Sequence, residues 1–303
     1  DLSVAMIHSI DDAGSNFLGL ANVVHALSST GPKAYLDIPQ IIQAALDTDC
    51  DLLHPGYGFL SESAAFADAC EKAGMVFVGP KPSALELLGD KSRARAAAEA
   101  AGIPVPIGLP GPVSRADAKL FLQGLGKGRA AMLKAVAGGG GRGTRPISDI
   151  AKLQDTFSAC EAESQAAFGE KALYIEEMIS NARHIEVQVV ADQAGNSIHL
   201  FERECTLQRN RQKLIEMAPS PWLKQKTRAA LLQAALDIAK NVGLRGLATF
   251  EFLVRDNGGT QEFFFIEANP RLQVEHTVTE QITGIDLVEV QLRIAMGDTL
   301  EEL

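Results

Sequence analysis

The chain has 303 residues and a mass of 32.3 kDa, long enough for two or three packed lobes with cores of their own. Its net charge is −10 and its pI about 5.1, with the basic residues scattered among the acids; this argues against a nucleic-acid or anionic-membrane surface and requires any bound anion to sit in a local pocket. Cys50, Cys70, Cys160 and Cys205 stand far apart, without C-x-x-C or zinc-like spacing, and no apolar run is long enough to span a bilayer. That pattern fits a reduced, intracellular, cytoplasmic protein.

Residues 1–79 alternate strand and helix. Leu2 to Ile7 reads as a strand at the very start, so an earlier part of a larger protein is expected before it. Ile38 to Leu46 has helical periodicity, Cys50 to His54 reads as a buried strand, Glu62 to Ala73 as a helix capped by Ser61, and Met75 to Val78 as a strand. Repeated βα units imply a mostly parallel sheet whose ligand edge lies at the C-terminal ends of its strands. His54-Pro55-Gly56-Tyr57-Gly58-Phe59-Leu60-Ser61-Glu62 sits at such an end, although taken alone it is a Gly/Pro turn.

Residues 80–106 read as an Ala-rich helical linker in which Lys91 has the pattern of a solvated helix residue, with a stop at Gly102-Ile103-Pro104. Gly108 to Gly111 then leads into a small lobe at 107–178. There Ala130 to Val136 is a strand that runs into Ala137-Gly138-Gly139-Gly140-Gly141-Arg142-Gly143-Thr144, followed by a long helix from Ser148 to Phe168. Four consecutive glycines cost entropy, and backbone amides approaching a phosphate would justify it. The order is neither a Walker loop nor G-x-G-x-x-G: Lys134 precedes the glycines and is placed to reach back over the same anion, while the loop has the makings of a lid. Leu173 to Ile179 is a strand whose end is suited to meeting an adenine amino group with backbone carbonyls.

In residues 179–303, His184 to Val190 reads as a strand. The run from Glu202 to Lys213 ends densely basic, suggesting an anion site or a network with acids, and Leu223 to Val242 is an amphipathic helix without assigned chemistry. The helical tail from Ile285 to Leu303 carries no final turn signal, so more chain is expected after it. The strongest signal is a hairpin. Thr249 to Val254 alternates, Arg255 to Gln261 carries turn chemistry, and Phe263 to His276 follows. If this last stretch runs extended, Glu267, Asn269, Arg271, Gln273 and Glu275 share one face. Glu251 and Glu267 lie on the same face if Val254 pairs with Glu262, the register expected here, and on opposite faces if it slips by one. Two carboxylates in a cleft call for a cation between them, and oxygen ligands favour Mg²⁺ or Mn²⁺.

Together these stretches resemble the biotin carboxylase component of biotin-dependent carboxylases, within the ATP-grasp superfamily, over nearly the whole chain. The matching stretches are His54 to Glu62, Gly89-Asp90-Lys91, Lys134 with its glycine loop, His184, Gln208 to Lys213, Phe250-Glu251-Phe252 and Glu267 to His276. The resemblance implies a mixed α/β and α+β fold: an N-terminal parallel α/β lobe (1–79) lacking the family's first strand and helix, a helical linker (80–106), a lid lobe (107–178) and a truncated C-terminal antiparallel-sheet lobe (179–303). It implies ATP-dependent carboxylation of biotin through carboxyphosphate made from bicarbonate. For ATP it implies Lys91, Lys134, Gly140, Gly141, Glu176, Glu177, Met178, Ile179, His184, Gln208 and Arg211, and for Mg²⁺ or Mn²⁺ it implies Glu251, Glu267 and Asn269. Bicarbonate falls to Lys213, Arg271, Gln273, Val274 and Glu275, with Glu275 as general base and Arg271 and Lys213 sharing the catalytic centre. Biotin would arrive on a carrier domain outside the chain, with a carboxyltransferase as further partner, assembly into an oligomer, and neither nucleic acid nor membrane involved. The Gln208 to Arg211 run leans towards a large acyl-CoA carboxylase. The departures are Arg211 where the family commonly has His, Glu177 where it has Lys, and Ala268 where Met is usual. A carbamoyl-phosphate synthetase type of ATP-grasp ligase, or a non-catalytic nucleotide-binding module, are the alternatives.

Overall fold

The computed structural model of the protein describes residues 2–109, 111–126, 128–136 and 143–303. The expectations placed on Ala137 to Arg142, including the roles of Gly140 and Gly141, lie outside the described residues. No helix among the described residues is long and apolar enough to cross a membrane.

Parallel pairing begins the chain, as two separate ladders: β1 (Ala5–His8) with β2 (Val23–Ala26), and β3 (Leu52–Leu53) with β4 (Val76–Phe77). Between them α1 (Ile38–Asp47) starts at Asp37, whose carboxylate accepts the Gln40 N–H at 3.1 Å. The next helix, α2 (Ala64–Lys72), begins later than the sequence reading placed it. Its cap is Ser63, whose hydroxyl accepts the Phe66 N–H at 3.2 Å, and not Ser61. The helical frame is set by Phe66, Ala67 and Cys70, which must reach a core shared with Phe77.

Two helices follow, α3 (Pro82–Gly89) and α4 (Lys91–Ala100), separated at Asp90, whose side chain caps the second by accepting from Ser92 N at 2.8 Å and Arg93 N at 3.1 Å. A helix that the sequence reading did not foresee, α5 (Arg115–Gly124), opens with a reciprocal Ser114–Asp117 capping box. It packs with α6 (Leu153–Phe168) over a three-stranded antiparallel sheet of order β6 (Thr144–Ile147), β5 (Ala131–Ala135), β7 (Leu173–Glu177). The expected single helix from Ser148 is therefore shorter. Pro146 lacks an N–H for a ladder or a helix interior and sits in edge strand β6, and a 3₁₀ turn at Ile150–Lys152 precedes α6. Gly108 bridges to Glu176 on β7, and a Cβ there would meet the Ile175 carbonyl oxygen at 2.9 Å, so the approach needs glycine.

The largest sheet is antiparallel, in the order β10 (Gln212–Met217), β9 (Ser197–Arg209), β8 (Ala182–Ala191), β11 (Gly246–Asn257), β12 (Thr260–Asn269). One face carries Ile185, Val187, Val189, Phe250, Phe252, Val254 and Phe265 against α4 and α7 (Gln225–Asn241). On the opposite side, α9 (Leu287–Met296) covers Val190 and Leu247, and α8 (His276–Thr283) runs before it. The β11–β12 turn is tighter than expected. Asn257 pairs with Thr260, leaving only Gly258 and Gly259, both at positive φ, instead of a loop from Arg255 to Gln261.

The expected register is also corrected: Val254 pairs with Phe263, not Glu262. A β-bulge between Glu251 and Phe252 then adds one residue on β12, so that Phe252 faces Phe265 while Glu251 lies directly opposite Glu267. The slip and the bulge cancel in parity. Phe265 stays on the core face and Glu267 is returned to the opposite face beside Glu251. The core it leaves is tightly interlocked, with Phe252 edge-on to both Phe263 and Phe265. Phe252→Ala is expected to lower the unfolding free energy by about 3–5 kcal/mol, measured by urea unfolding; a loss below about 1 kcal/mol would show that this face is not the main core.

Candidate active site

One transverse row of the five-stranded sheet holds the charges together. Arg203 on β9 lies opposite Glu186 on β8, Glu186 opposite Glu251 on β11, and Glu251 opposite Glu267 on β12. Directly opposite residues share a face, and strands are about 4.8 Å apart, so three carboxylates line up on one side of the sheet. Glu186 and Glu251 are almost wholly buried. Carboxylates in such a row repel, and each must meet cations or hydrogen-bond donors.

Arg203 supplies one end. It is fully buried, and its five N–H groups meet Glu186 Oε1 (2.5 Å), Gln188 Oε1 (3.1 Å), Thr279 Oγ1 (2.7 Å), Thr249 Oγ1 (3.5 Å) and Gln273 Oε1 (2.8 Å). Lys213, on β10, spans the middle: its ammonium contacts Glu186, Glu275 Oε1 at 2.5 Å and Glu251 Oε1 at 3.2 Å. His184 Nε2 lies 2.6 Å from Glu251 Oε2, and its Nδ1 lies 2.7 Å from the Gln208 amide nitrogen. Asn269 and Gln273 donate to Glu251 Oε1 at 2.7 and 3.2 Å. At the far end Lys91 pairs with Glu267. The sequence pattern placed Lys91 in solvent; it is largely buried because α4 packs on the sheet and its first residue points over the edge strand.

These contacts set the protonation states. Burial pushes the Glu251 carboxyl up, but His184 and Lys213 overcome it and hold it well below the usual carboxylate range. Glu275 shows the same contest on a smaller scale, burial raising it and Lys213 drawing it down below its ordinary value. Burial alone would lower Lys213, His184 and Lys91; the carboxylates, Glu251 for the first two and Glu267 for Lys91, raise all three instead.

The remaining expected residues divide. The strand β12 ends at Asn269, so the polar row does not run extended to Glu275: Arg271 lies in a bend and Val274 and Glu275 in a turn before α8. Gln273 and Glu275 nevertheless return to Glu251 and Lys213, while the Arg271 Nε donates to Glu62 Oε1 at 2.6 Å and Val274 remains largely exposed. Lys134 pairs with the buried carboxylate of Glu176, which Arg95 also approaches at 3.5 Å. Glu177 turns away to Arg129 (Nε at 3.0 Å), and its N–H and that of Met178 donate to the Ile107 and Ala130 carbonyls. Ile179 is buried beside them. Arg211 lies with Asn210 in a two-residue turn, both at positive φ, and donates to the Thr144 carbonyl across on β6. The basic end of the 202–213 run is thus a hairpin, with Arg203 turned inward from it. Glu186 and Arg203 were missed by the sequence reading, and Glu62 was noted only within the His54 to Glu62 stretch, without a role. The alternation His184-Ile185-Glu186-Val187-Gln188 was a usable signal for the first, since it puts Glu186 on the face of His184.

Glu251 and Glu267, directly opposite each other, offer carboxylate oxygens, the donor type that suits a hard divalent ion such as Mg²⁺ or Mn²⁺, while Asn269 turns its amide nitrogen to Glu251 and its oxygen to Arg271. His184, Glu186 and Glu251 also offer ligand atoms within 4.8 Å of one another, as do Glu186, Cys205 and Glu275. Burial drives the Cys205 thiol well above its usual range, which disfavours the thiolate as a ligand.

An antiparallel five-stranded sheet facing a smaller three-stranded one across a cluster of lysines and glutamates is the arrangement of an ATP-grasp protein. Residues 90–303 match the family model "Carbamoyl-phosphate synthase L chain, ATP binding domain", and residues 1–85 match "Biotin carboxylase, N-terminal domain". The chain is 48% identical over 275 residues to pyruvate carboxylase 1 of Caenorhabditis elegans (89% of this chain, 23% of that protein) and 45% identical over 303 residues to pyruvate carboxylase of Bacillus subtilis (99% and 26%). Among solved structures it resembles the biotin carboxylase–β-γ-ATP complex of Campylobacter jejuni (TM-score 0.93, 41% identity, covering 98% of this chain and 66% of that one). It also resembles the biotin carboxylase domain dimer of Hydrogenobacter thermophilus 2-oxoglutarate carboxylase with MgADP, ADP and bicarbonate (TM-score 0.94, 37% identity, 99% and 65%). The chain belongs to the biotin carboxylase family of ATP-grasp proteins, and it spans about a quarter of the length of the curated relatives it matches.

The lowered values of Glu251 and Glu275 give a signed pH dependence. Their ionised forms stabilise the fold above the ordinary carboxylate value of about 4.3, and that contribution is lost as the pH falls through their lower folded values. Lys213→Met removes the cation they share. Stability is expected to fall by about 3–5 kcal/mol near neutral pH, with the gap to the parent closing as the pH drops below about 4. Urea unfolding across a pH series reads this, and a gap independent of pH would assign Lys213 a packing role only.

Proposed function

We propose that this chain carries out ATP- and bicarbonate-dependent carboxylation of biotin through carboxyphosphate, as the biotin carboxylase part of a larger biotin-dependent carboxylase. The observation that carries the proposal is Lys213, which ties Glu275 to the same cationic centre as Glu251, in the row that ends at Glu267. That sets a base within reach of the same lysine as Glu251, one of the two proposed metal-binding glutamates, an arrangement that a phosphoryl transfer to a small acid can use. Bicarbonate bound by Lys213, Arg271, Gln273 and the backbone of Val274 gives its proton to Glu275, and its oxygen attacks the γ-phosphorus of ATP, releasing ADP. Glu275 is ionised throughout the neutral range because Lys213 holds it so.

Glu251, Glu267 and Asn269 would hold the divalent ion, which when bound neutralises charge on the triphosphate. Lys91 and Lys134, now paired with Glu267 and Glu176, would turn to the phosphates, and His184, Gln208 and Arg211 would line the nucleotide. We assign residues 107–178, with Gly140 and Gly141, to the lid that lowers onto ATP, and Glu176 to Ile179 to the adenine. The nucleotide and bicarbonate held by the Campylobacter and Hydrogenobacter proteins support this reading. The match of residues 1–85 to a biotin carboxylase domain favours it over a carbamoyl-phosphate synthetase type of ligase. Carrier and carboxyltransferase partners are placed outside these residues. Pyruvate, 2-oxoglutarate and long-chain acyl-CoA carboxylases are all among the relatives, as expected if the carboxyltransferase chooses the acceptor.

ATP hydrolysis by the full-length protein is expected to depend on bicarbonate and to rise with free biotin; turnover indifferent to bicarbonate would refute the assignment, and carbamoyl product would select the alternative ligase. Glu275→Gln is expected to lower the bicarbonate-dependent rate by about 10²–10⁴, with Mg·ATP binding by calorimetry retained. A comparable loss of nucleotide affinity would remove Glu275 from the role of base.

A further inference from the structure

The stretch from His54 to Glu62 reaches across to the C-terminal part of the chain at both of its ends, to α9 and to the bend that follows β12. His54 Nδ1 accepts the Gly56 N–H at 3.0 Å, so its Nε2 carries the hydrogen and donates to Gln291 Oε1, 3.2 Å away on α9. At the other end Glu62 accepts from Arg271 Nε at 2.6 Å, a contact between residues 209 positions apart. The remaining Arg271 contacts are Nη1 to the Leu272 carbonyl at 3.1 Å and Nη2 to Asn269 Oδ1 at 3.4 Å.

We propose that Glu62 is a positioning residue for Arg271, fixing the guanidinium so that its uncommitted N–H groups are presented to bicarbonate; the proposal rests on the biotin carboxylase reading. A guanidinium has five N–H groups in a rigid plane. Three are taken by Glu62, Leu272 and Asn269, which leaves one on each terminal nitrogen, the two-pronged fork that suits a planar oxyanion. Arg271 sits in a bend beyond the end of β12, with no strand ladder to hold it. The Leu272 and Asn269 contacts come from its own segment and would travel with it. Glu62 belongs to a different part of the chain, anchored by His54 to α9, and is the contact that ties the guanidinium to the rest of the fold. The charged Nε contact is also the shortest of the three, as expected of a carboxylate–guanidinium bond. The first lobe, which lies far from the metal-binding row in sequence, thereby takes part in holding bicarbonate.

The test is steady-state kinetics of the full-length enzyme carrying Glu62→Ala or Glu62→Gln, with Arg271→Lys as a second background. Loss of the orienting carboxylate is expected to raise KM for bicarbonate about tenfold in Glu62→Ala, with KM for ATP and the thermal midpoint little changed. Glu62→Gln, which keeps an acceptor oxygen for Nε, is expected to recover part of the loss. In Arg271→Lys, which has no Nε fork to orient, the Glu62→Ala effect is expected to vanish. An unchanged bicarbonate KM in a parent enzyme that does need bicarbonate would overturn the positioning role and leave the function standing; an equal penalty with and without Arg271 would also overturn it. A parent enzyme whose turnover ignores bicarbonate would overturn the functional reading and this proposal together.

Discussion

Three glutamates stand side by side across one face of an antiparallel sheet, and the packing around them answers that repulsion. Glu186, Glu251 and Glu267 occupy consecutive cross-strand positions, with the first two sealed from solvent. Buried carboxylates without partners would either take up protons or unfold the sheet. Arg203 therefore fills one end with every donor satisfied, Lys213 and His184 occupy the middle, and Lys91 closes the other end from α4. The result is a charged centre whose cations come from four separate elements, so the sheet, the β9–β10 hairpin and α4 must all be in place before any of it is stable.

The same balance makes the site responsive. Each carboxylate is held by cations whose contacts are long side chains, and Lys91, Lys134 and Lys213 end in rotatable ammonium groups, not rigid forks. The oxygens that Lys91 and Lys213 hold belong to Glu267 and Glu251, the residues proposed above to hold the divalent ion. Arg203 is different: its five donors meet five acceptors, which fixes the guanidinium at the end of the row.

The departures from the family pattern at the edge of the site have local structural accounts. Glu177 finds Arg129, in the loop that leads into β5, so its charge is met beside the three-stranded sheet. Arg211, at positive φ in a two-residue turn, reaches the Thr144 carbonyl on β6 and so joins the large sheet to the small one. Ala268 lies on the core face opposite Phe250, where a small side chain fits against the aromatic ring.

Much of this was legible from residues alone. The alternation in 249–254 and 263–269, the helical period of 225–241 and the βα rhythm of the first 79 residues are local patterns, set by which side chains must be buried, and they appear in the structure close to where the pattern put them. The glutamate pair Glu251 and Glu267 and the polar row running on to Glu275 likewise marked this region as ionic, and in the structure Lys91, Lys213 and His184 meet their carboxylates. Tertiary structure alone decided the rest. The two-residue turn at Gly258 and Gly259 puts β12 one residue off the expected register, and a bulge between Glu251 and Phe252, beside the packed rings of Phe252, Phe263 and Phe265, restores the parity. Lys91 was brought in from solvent by the docking of α4, and Glu62 met Arg271 across 209 positions. Local sequence fixes which face a residue shows within its own element; which charges meet depends on how separate elements pack, and that is a property of the whole chain.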